Sequence, residues 1–344
     1  MRSFGKYFAL ASLVFVLALS TSAQTPATAH RSFRFTYAFS VREVPAGKPL
    51  SIWFPEAVSD QWQDVKVISQ TGDLPLHRTN EKQYGDVMFH AETRKADKPA
   101  YHFEVVYEVT RRERVGYRDG QFVGPATNTP KLVLARFASP DTLVPTTGRL
   151  ADLADSQVKS ANADTPIKKG RAIYDYVFTT LRYDKSGTGW GRGDSEWACD
   201  SKHGNCTDFH SLFASMARSQ HIPTRFAIGF PLPPAKHSGP IAGYHCWADF
   251  NVDRHWVPID ISEAWKAQDK KEYYFGSHDD NRVQFSVGRD ITLAPPQRGK
   301  PLNYFVYPYV EVDGAEHINV RNDFSFSDLN ADSPQAAPKV ATGN

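Results

Sequence analysis

The stretch His203-Gly204-Asn205-Cys206-Thr207-Asp208-Phe209-His210-Ser211-Leu212-Phe213 decides how this chain is read. From Phe209 onward, apolar residues recur at Leu212, Phe213, Met216 and Ala217, the spacing of one helical face. The helix is predicted to begin at or just before Cys206, with Gly204 and Asn205 allowing a tight approach to it. A thiol in that position meets unpaired backbone amides and the positive end of the helix dipole. Both favour the thiolate, which is the nucleophilic form. The same amides can stabilise an oxyanion.

Two runs downstream supply the partners of a thiol nucleophile. GYHCWADF (243–250) and HWVPID (255–260) alternate like strands. If a tight turn centred on Val252-Asp253 joins them, Asn251 faces Arg254, and the same register sets His245 opposite Asp260. A carboxylate there orients the imidazole and stabilises its charged form. Cys206, His245 and Asp260 thus have the chemistry of nucleophile, base and orienter. A buried cysteine alone usually just packs, a strand histidine is usually structural, and Asp260 alone reads as a turn cap. The three contexts together point to cysteine-dependent acyl transfer.

Around this region the chain changes character. Residues 30–145 carry short aromatic and β-branched runs, among them FRFTYAFSV, PLSIWFPEA and AYHFEVVYEV, separated by turn residues. They predict an antiparallel sandwich, without a catalytic grouping. After Asp164-Thr165-Pro166 a helical stripe runs from Ile167 to Leu181. Residues 184–200 read as a loop bearing Trp190 and Trp197. Trp190 is equally suited to a ligand wall and to core filling, whereas Trp197 reads as core. TRFAIGF reads as a buried strand. EYYFG and NYFVYPYVEV suggest two more.

The 344 residues allow two domains, and the 41% hydrophobic and 23% charged composition fits a globular chain. Arg2 and Lys6, then an apolar run to Leu19 and Thr21-Ser22-Ala23, read as an export signal over 1–23. Removing it takes away two bases and no acid, which balances 40 basic against 38 acidic residues to zero. Nothing there favours a nucleic-acid partner. The run is too short for a comfortable membrane span. In an exported chain, three cysteines leave at least one unpaired within the monomer. Cys199, His203, Cys206 and His210 also have zinc-ligand types. Their compressed spacing would straddle a loop–helix junction and would leave His245 and Asp260 without a role.

Taken together, GNCTDFHSLF, HIPTRFAIGF, HCWADF and WVPID resemble the transglutaminase-like superfamily, a papain-like thiol fold, over about 165–265. Each piece alone is weakly specific; the combination is specific. The resemblance implies an α+β catalytic core, a Cys-bearing helix packed on an antiparallel sheet, with an all-β sandwich before it. It implies Cys206 as nucleophile, His245 as general base and acid, Asp260 as orienter, and Trp190 as a candidate oxyanion helper. It calls for no cofactor or metal. His221 stands where the family has a structural glycine. The expected layout is a signal peptide (1–23), a β-sandwich (24–145), a catalytic domain (146–290), a C-terminal β-extension (291–325) and a flexible tail (326–344). The implied reaction is acyl transfer on peptide or protein amides, with cell-envelope substrates suggested by export to the periplasm or beyond. The alternatives are a non-catalytic binding module of the same fold and a zinc-stabilised interaction protein.

Overall fold

The computed structural model describes residues 29–329. The export signal expected at 1–23 lies outside them, as does most of the expected tail. The first strands are β1 (His30–Arg42), β2 (Leu50–Pro55), β3 (Gln63–Gly72), β4 (His77–Asn80), β5 (Val87–Thr93) and β6 (Ala100–Arg112). On β1 every second residue from Phe33 to Val41 is buried, and on β6 every second residue from Tyr101 to Val109. That period of two turns one face of each strand to the core. The two strands pair antiparallel, from His30 opposite Arg112 to Arg42 opposite Ala100.

Next come α1 (Lys131–Ala138), α2 (Arg149–Ser160), α3 (Pro166–Thr180), α4 (Ser195–Ser201) and α5 (Cys206–Ser219). Then follow β7 (Thr224–Pro231), β8 (Ser238–Ile241), β9 (His245–Val252), β10 (His255–Ile259), α6 (Ile261–Lys266), β11 (Arg282–Val287), β12 (Tyr309–Val312) and β13 (Val320–Asp328). The sandwich has one sheet in the order β8-β13-β1-β6-β3 and another containing β12-β2-β5-β4. The sheet that carries His245 is antiparallel, in the order β10-β9-β7-β11. Helix α5 lies against β9 and β7 and is buried from Cys206 to Arg218. Gly170 on α3 permits close packing there, because a Cβ would sit 2.7 Å from the Phe250 ring.

The α+β class and the β-rich N-terminal region are as expected, but the sandwich is not N-terminal alone. The end of the chain returns to it: β13 pairs with β1, and β12 with β2. β13 reaches Asp328, three residues into the segment expected to be tail. Arg31 fixes that end with a 2.9 Å hydrogen bond to the Asp328 carboxylate. Helix α1 falls inside the region read as β, and α4 inside the stretch read as loop. Asp194 caps α4 through the Trp197 amide. Of the two aromatic segments read as late strands, residues 272–274 form turns and only Tyr309–Val312 is a strand.

The β9–β10 hairpin is offset from the expected register. Asn251 faces Trp256, and Val252 faces His255. Asp253 and Arg254 form the turn with φ of 48° and 68°. Two consecutive positive φ values are the type I′ pattern, whose twist matches paired strands and which disfavours a β-branched valine at its centre. Asp260 therefore lies beyond the ladder, where it caps α6.

Candidate active site

Cys206 opens α5, and the residues before and after it fix its helix start. The Asn205 side chain accepts from the Thr207 amide (2.9 Å), and the Asp208 carboxylate accepts from the Asn205 amide (2.9 Å). This reciprocal capping satisfies two otherwise orphaned donors. A side chain at Gly204 would overlap the Asp208 carboxyl group, so glycine is required by close approach. Cys206 is 1% exposed. Its thiol is buried beside the His245 ring and Cys246, the groups that set its charge.

His245 begins β9, and its Nε2 lies 2.7 Å from Asp260 Oδ2. That leaves Nδ1 as the ring nitrogen that can serve the thiol. Both groups are buried. Burial alone would raise the Cys206 thiol. The hydrogen bonds from Cys246 and His245, with the charge on His245, instead bring it well below its ordinary value. Burial would lower His245, but the charge and hydrogen bond of Asp260 lift it to about 10. Asp260 itself lies well below the usual carboxylate range, because His245 and Arg282 overcome its burial. The directions agree on a thiolate, an imidazolium and a carboxylate in a row.

Four groups that sequence reasoning missed, Arg282, His210, Asp208 and Arg289, hold this row in place. Arg282 on β11 donates to Asp260 Oδ2 at 2.9 Å, and its guanidinium lies 4.8 Å from the centre of the Trp247 ring. His210, one helical turn after Cys206, accepts from the Ile261 amide through Nε2 (3.1 Å). Because an amide can only donate, His210 carries its proton on Nδ1 and gives it to the Cys206 carbonyl (2.8 Å). Burial lowers its pKa, in keeping with a neutral ring that ties α5 to the start of α6. Asp208 accepts from the amides of Gly191 (2.7 Å) and Gly193 (3.0 Å) as well as Asn205. Arg289 takes the carbonyls of the same loop, reaching Gly193 at 2.9 Å. The loop before the cysteine is thus pinned through both its donors and its acceptors.

Sequence offered signals for Asp208 and His210, two and four residues from the thiol on a buried helix. It offered none for Arg282 or Arg289, which tertiary folding brings in from β11 and the turn after it.

Trp190 lies on that loop beside Gly191. Its ring centre is 5.7 Å from the Lys185 ammonium, and it does not line the cleft that contains His245. Trp197 packs against the helical core. That cleft is about 520 Å³. Larger hollows, on the outer face of the sandwich and beside α3, contain none of the three central residues.

The residues with zinc-ligand types are not gathered. His210 uses both ring nitrogens as described, and His203 Nδ1 faces the Asp184 carbonyl at 3.2 Å. Among the described residues, the cluster of metal-ligating types is His245, Asp260 and Glu263. Two of those are already committed to each other. All three cysteines are free thiols.

Residues 151–261 match the family model described as Transglutaminase-like superfamily. An uncharacterised protein of Haemophilus influenzae is 27% identical over 321 residues, which cover 82% of this chain and 86% of that protein. Among solved structures, a candidate cysteine protease from Cytophaga hutchinsonii superposes with a TM-score of 0.56 at 13% identity, covering 89% of this chain and 95% of the other. That likeness extends the shared fold beyond the family match, into the sandwich. No helix among the described residues is long and apolar enough to cross a membrane.

Proposed function

We propose, on the match of residues 151–261 to the transglutaminase-like family model, that this protein is a cysteine-dependent acyl-transfer enzyme acting on peptide or protein amides. The observation that carries the reading is the buried row of Cys206, His245 and Asp260, with the thiol at the first turn of α5. The Cys206 thiolate attacks the amide carbonyl and forms a carbon–sulfur bond. The imidazolium of His245 gives its proton to the departing amine, the carbon–nitrogen bond breaks, and a thioester remains. Neutral His245 then takes a proton from water or a second amine as it attacks the thioester. The thiolate leaves, restoring the starting pair. Asp260 keeps the ring oriented and its charged form stable throughout. The backbone amide of Cys206 itself, which the capping hydrogen bonds leave out, is the candidate donor to the oxyanion.

The amino-terminal sequence supports export, so the substrate we propose is one met in the periplasm or outside the cell. The test is to incubate the protein with a peptide-amide mixture and look by mass spectrometry for an acyl adduct on Cys206. The adduct is expected in the wild type and absent in Cys206→Ala. Adding a primary amine separates transamidation from hydrolysis by the mass of the product. A wild type that forms neither adduct nor product across a broad peptide set would count against the reading.

A further inference from the structure

The cleft beside His245 has an unbalanced set of charges. Its lining carries Lys185, Lys236, Lys266 and Arg282 against two carboxylates, Glu263 and Asp279. Those carboxylates are already occupied. Glu263 pairs with Lys266 at 2.6 Å, and Asp279 with Arg282 at 3.2 Å. Lys185 and Lys236 have no carboxylate within ion-pair distance among the described residues, and both are exposed. The surplus is local, because the whole chain is close to neutral.

Both lysines stand on fixed backbone or side-chain supports. The Lys185 ammonium lies 5.8 Å from the ring centre of Tyr183 and 5.7 Å from that of Trp190, a notch that holds a cation over two π faces. Lys236 sits on the proline-rich segment between β7 and β8. Arg31 of the sandwich donates to the Lys236 carbonyl at 2.5 Å and to the Pro233 carbonyl at 3.3 Å. β8 is also paired with β13, so this cleft wall is an outgrowth of the sandwich sheet. The sandwich therefore sets the position of one of the two unpaired charges.

We infer that the cleft selects acyl donors bearing free carboxylates, which Lys185 and Lys236 meet as the peptide enters beside His245. This rests on the proposed acyl-transfer reading and narrows it to acidic peptides. Uncompensated like charges at the mouth of a low-dielectric cleft raise the local concentration of an oppositely charged ligand and speed its arrival.

The test uses two alkylating agents that differ in charge, iodoacetate and iodoacetamide. Each forms a bond between Cys206 Sγ and its methylene carbon and expels iodide, so neither depends on amide turnover. The readout is the ratio of their rates at Cys206, by peptide mapping of the folded protein at low salt. In the Lys185→Gln/Lys236→Gln double variant the ratio of iodoacetate to iodoacetamide is expected to fall roughly tenfold with the iodoacetamide rate unchanged. The Lys185→Arg/Lys236→Arg variant is expected to keep the ratio, and about 0.5 M salt to reduce it in the wild type. An equal ratio in wild type and the glutamine variant would overturn the inference and leave the thiol chemistry standing. A Cys206 that resists both reagents would overturn the acyl-transfer reading, and this inference with it.

Discussion

Arg282 donates to the same oxygen of Asp260 that receives His245, at 2.9 Å against 2.7 Å. One buried carboxylate oxygen thus serves two cations, and Asp279 balances the second of them. Arg282→Gln is expected to cost about 3 kcal/mol of stability, because it leaves buried carboxylates under-compensated. With one cation gone, Asp260 titrates at higher pH, so the acid limb of Cys206 alkylation moves upward. Arg282→Lys keeps the charge and loses the fork, and should fall between the two. Urea unfolding and the alkylation pH profile measure both effects. An unmoved acid limb in Arg282→Gln would remove Arg282 from the account of the site.

Asp208 links pH to the loop in front of the thiol. Burial raises its carboxyl to about 6, against the pull of the Gly191, Asn205 and Gly193 amides. As pH falls through about 6 the group takes a proton, and one oxygen can no longer accept freely. Cys206 alkylation should therefore drop through that window. Asp208→Asn should lose this step and react roughly tenfold more slowly at neutral pH, since one loop amide lacks an acceptor. The stability effect has the opposite sign. A folded pKa above the ordinary aspartate value means that the folded state binds more protons between about pH 4 and 6. The contribution is therefore present below pH 4 and lost as pH rises through about 6. Reactivity and stability measured on one sample across that range should move in opposite directions.

His221 follows the end of α5 with φ of 60°, in the left-handed region. Its amide still reaches back to the Arg218 carbonyl at 2.9 Å, as a helix-terminating residue does. Glycine, expected there from the family resemblance, adopts this φ without a Cβ penalty. His221→Gly is expected to stabilise the protein by about 0.5–1 kcal/mol with unchanged Cys206 reactivity. A denaturation midpoint at or below the wild-type value would show that the histidine has an offsetting contact.

Asp249 ties the sheet that carries His245 to the residues just after β6. It receives Arg114 at 2.6 Å and Arg225 at 2.8 Å, and is 1% exposed. Asp249→Asn leaves a buried arginine with a neutral partner and should cost about 3 kcal/mol. Chemical denaturation followed by tryptophan fluorescence would measure it. A loss under about 1 kcal/mol would mean that water or a neighbouring group compensates the guanidinium.

The helix of Cys206 and the strand of His245 were legible in sequence because each rests on local pattern: the apolar period of α5 and the alternation of β9. The proximity of His245 and Asp260 was also legible, but its geometric reason was not. Counting across a hairpin centred on Val252-Asp253 placed them as cross-strand partners. The turn actually lies at Asp253 and Arg254, and Asp260 reaches His245 from the cap of α6. Positive φ at two non-glycine residues leaves little trace in residue type, so the register was not recoverable from spacing. Arg282 and the return of β13 to β1 were invisible for a related reason. Each depends on contacts between segments far apart in the chain, and no local period announces them.

The central claim is that Cys206 and His245 form a thiolate–imidazolium pair, and the rate of Cys206 alkylation across pH tests it most directly. Iodoacetamide labelling of the folded protein, mapped to each of the three cysteines, should find Cys206 fastest and still reactive at about pH 7. In His245→Ala its rate at that pH should fall roughly tenfold or more, with the profile moved to the range of an ordinary thiol. A Cys206 that matches a denatured control, or one unaffected by loss of the imidazole, would contradict the pair and the acyl-transfer chemistry built on it.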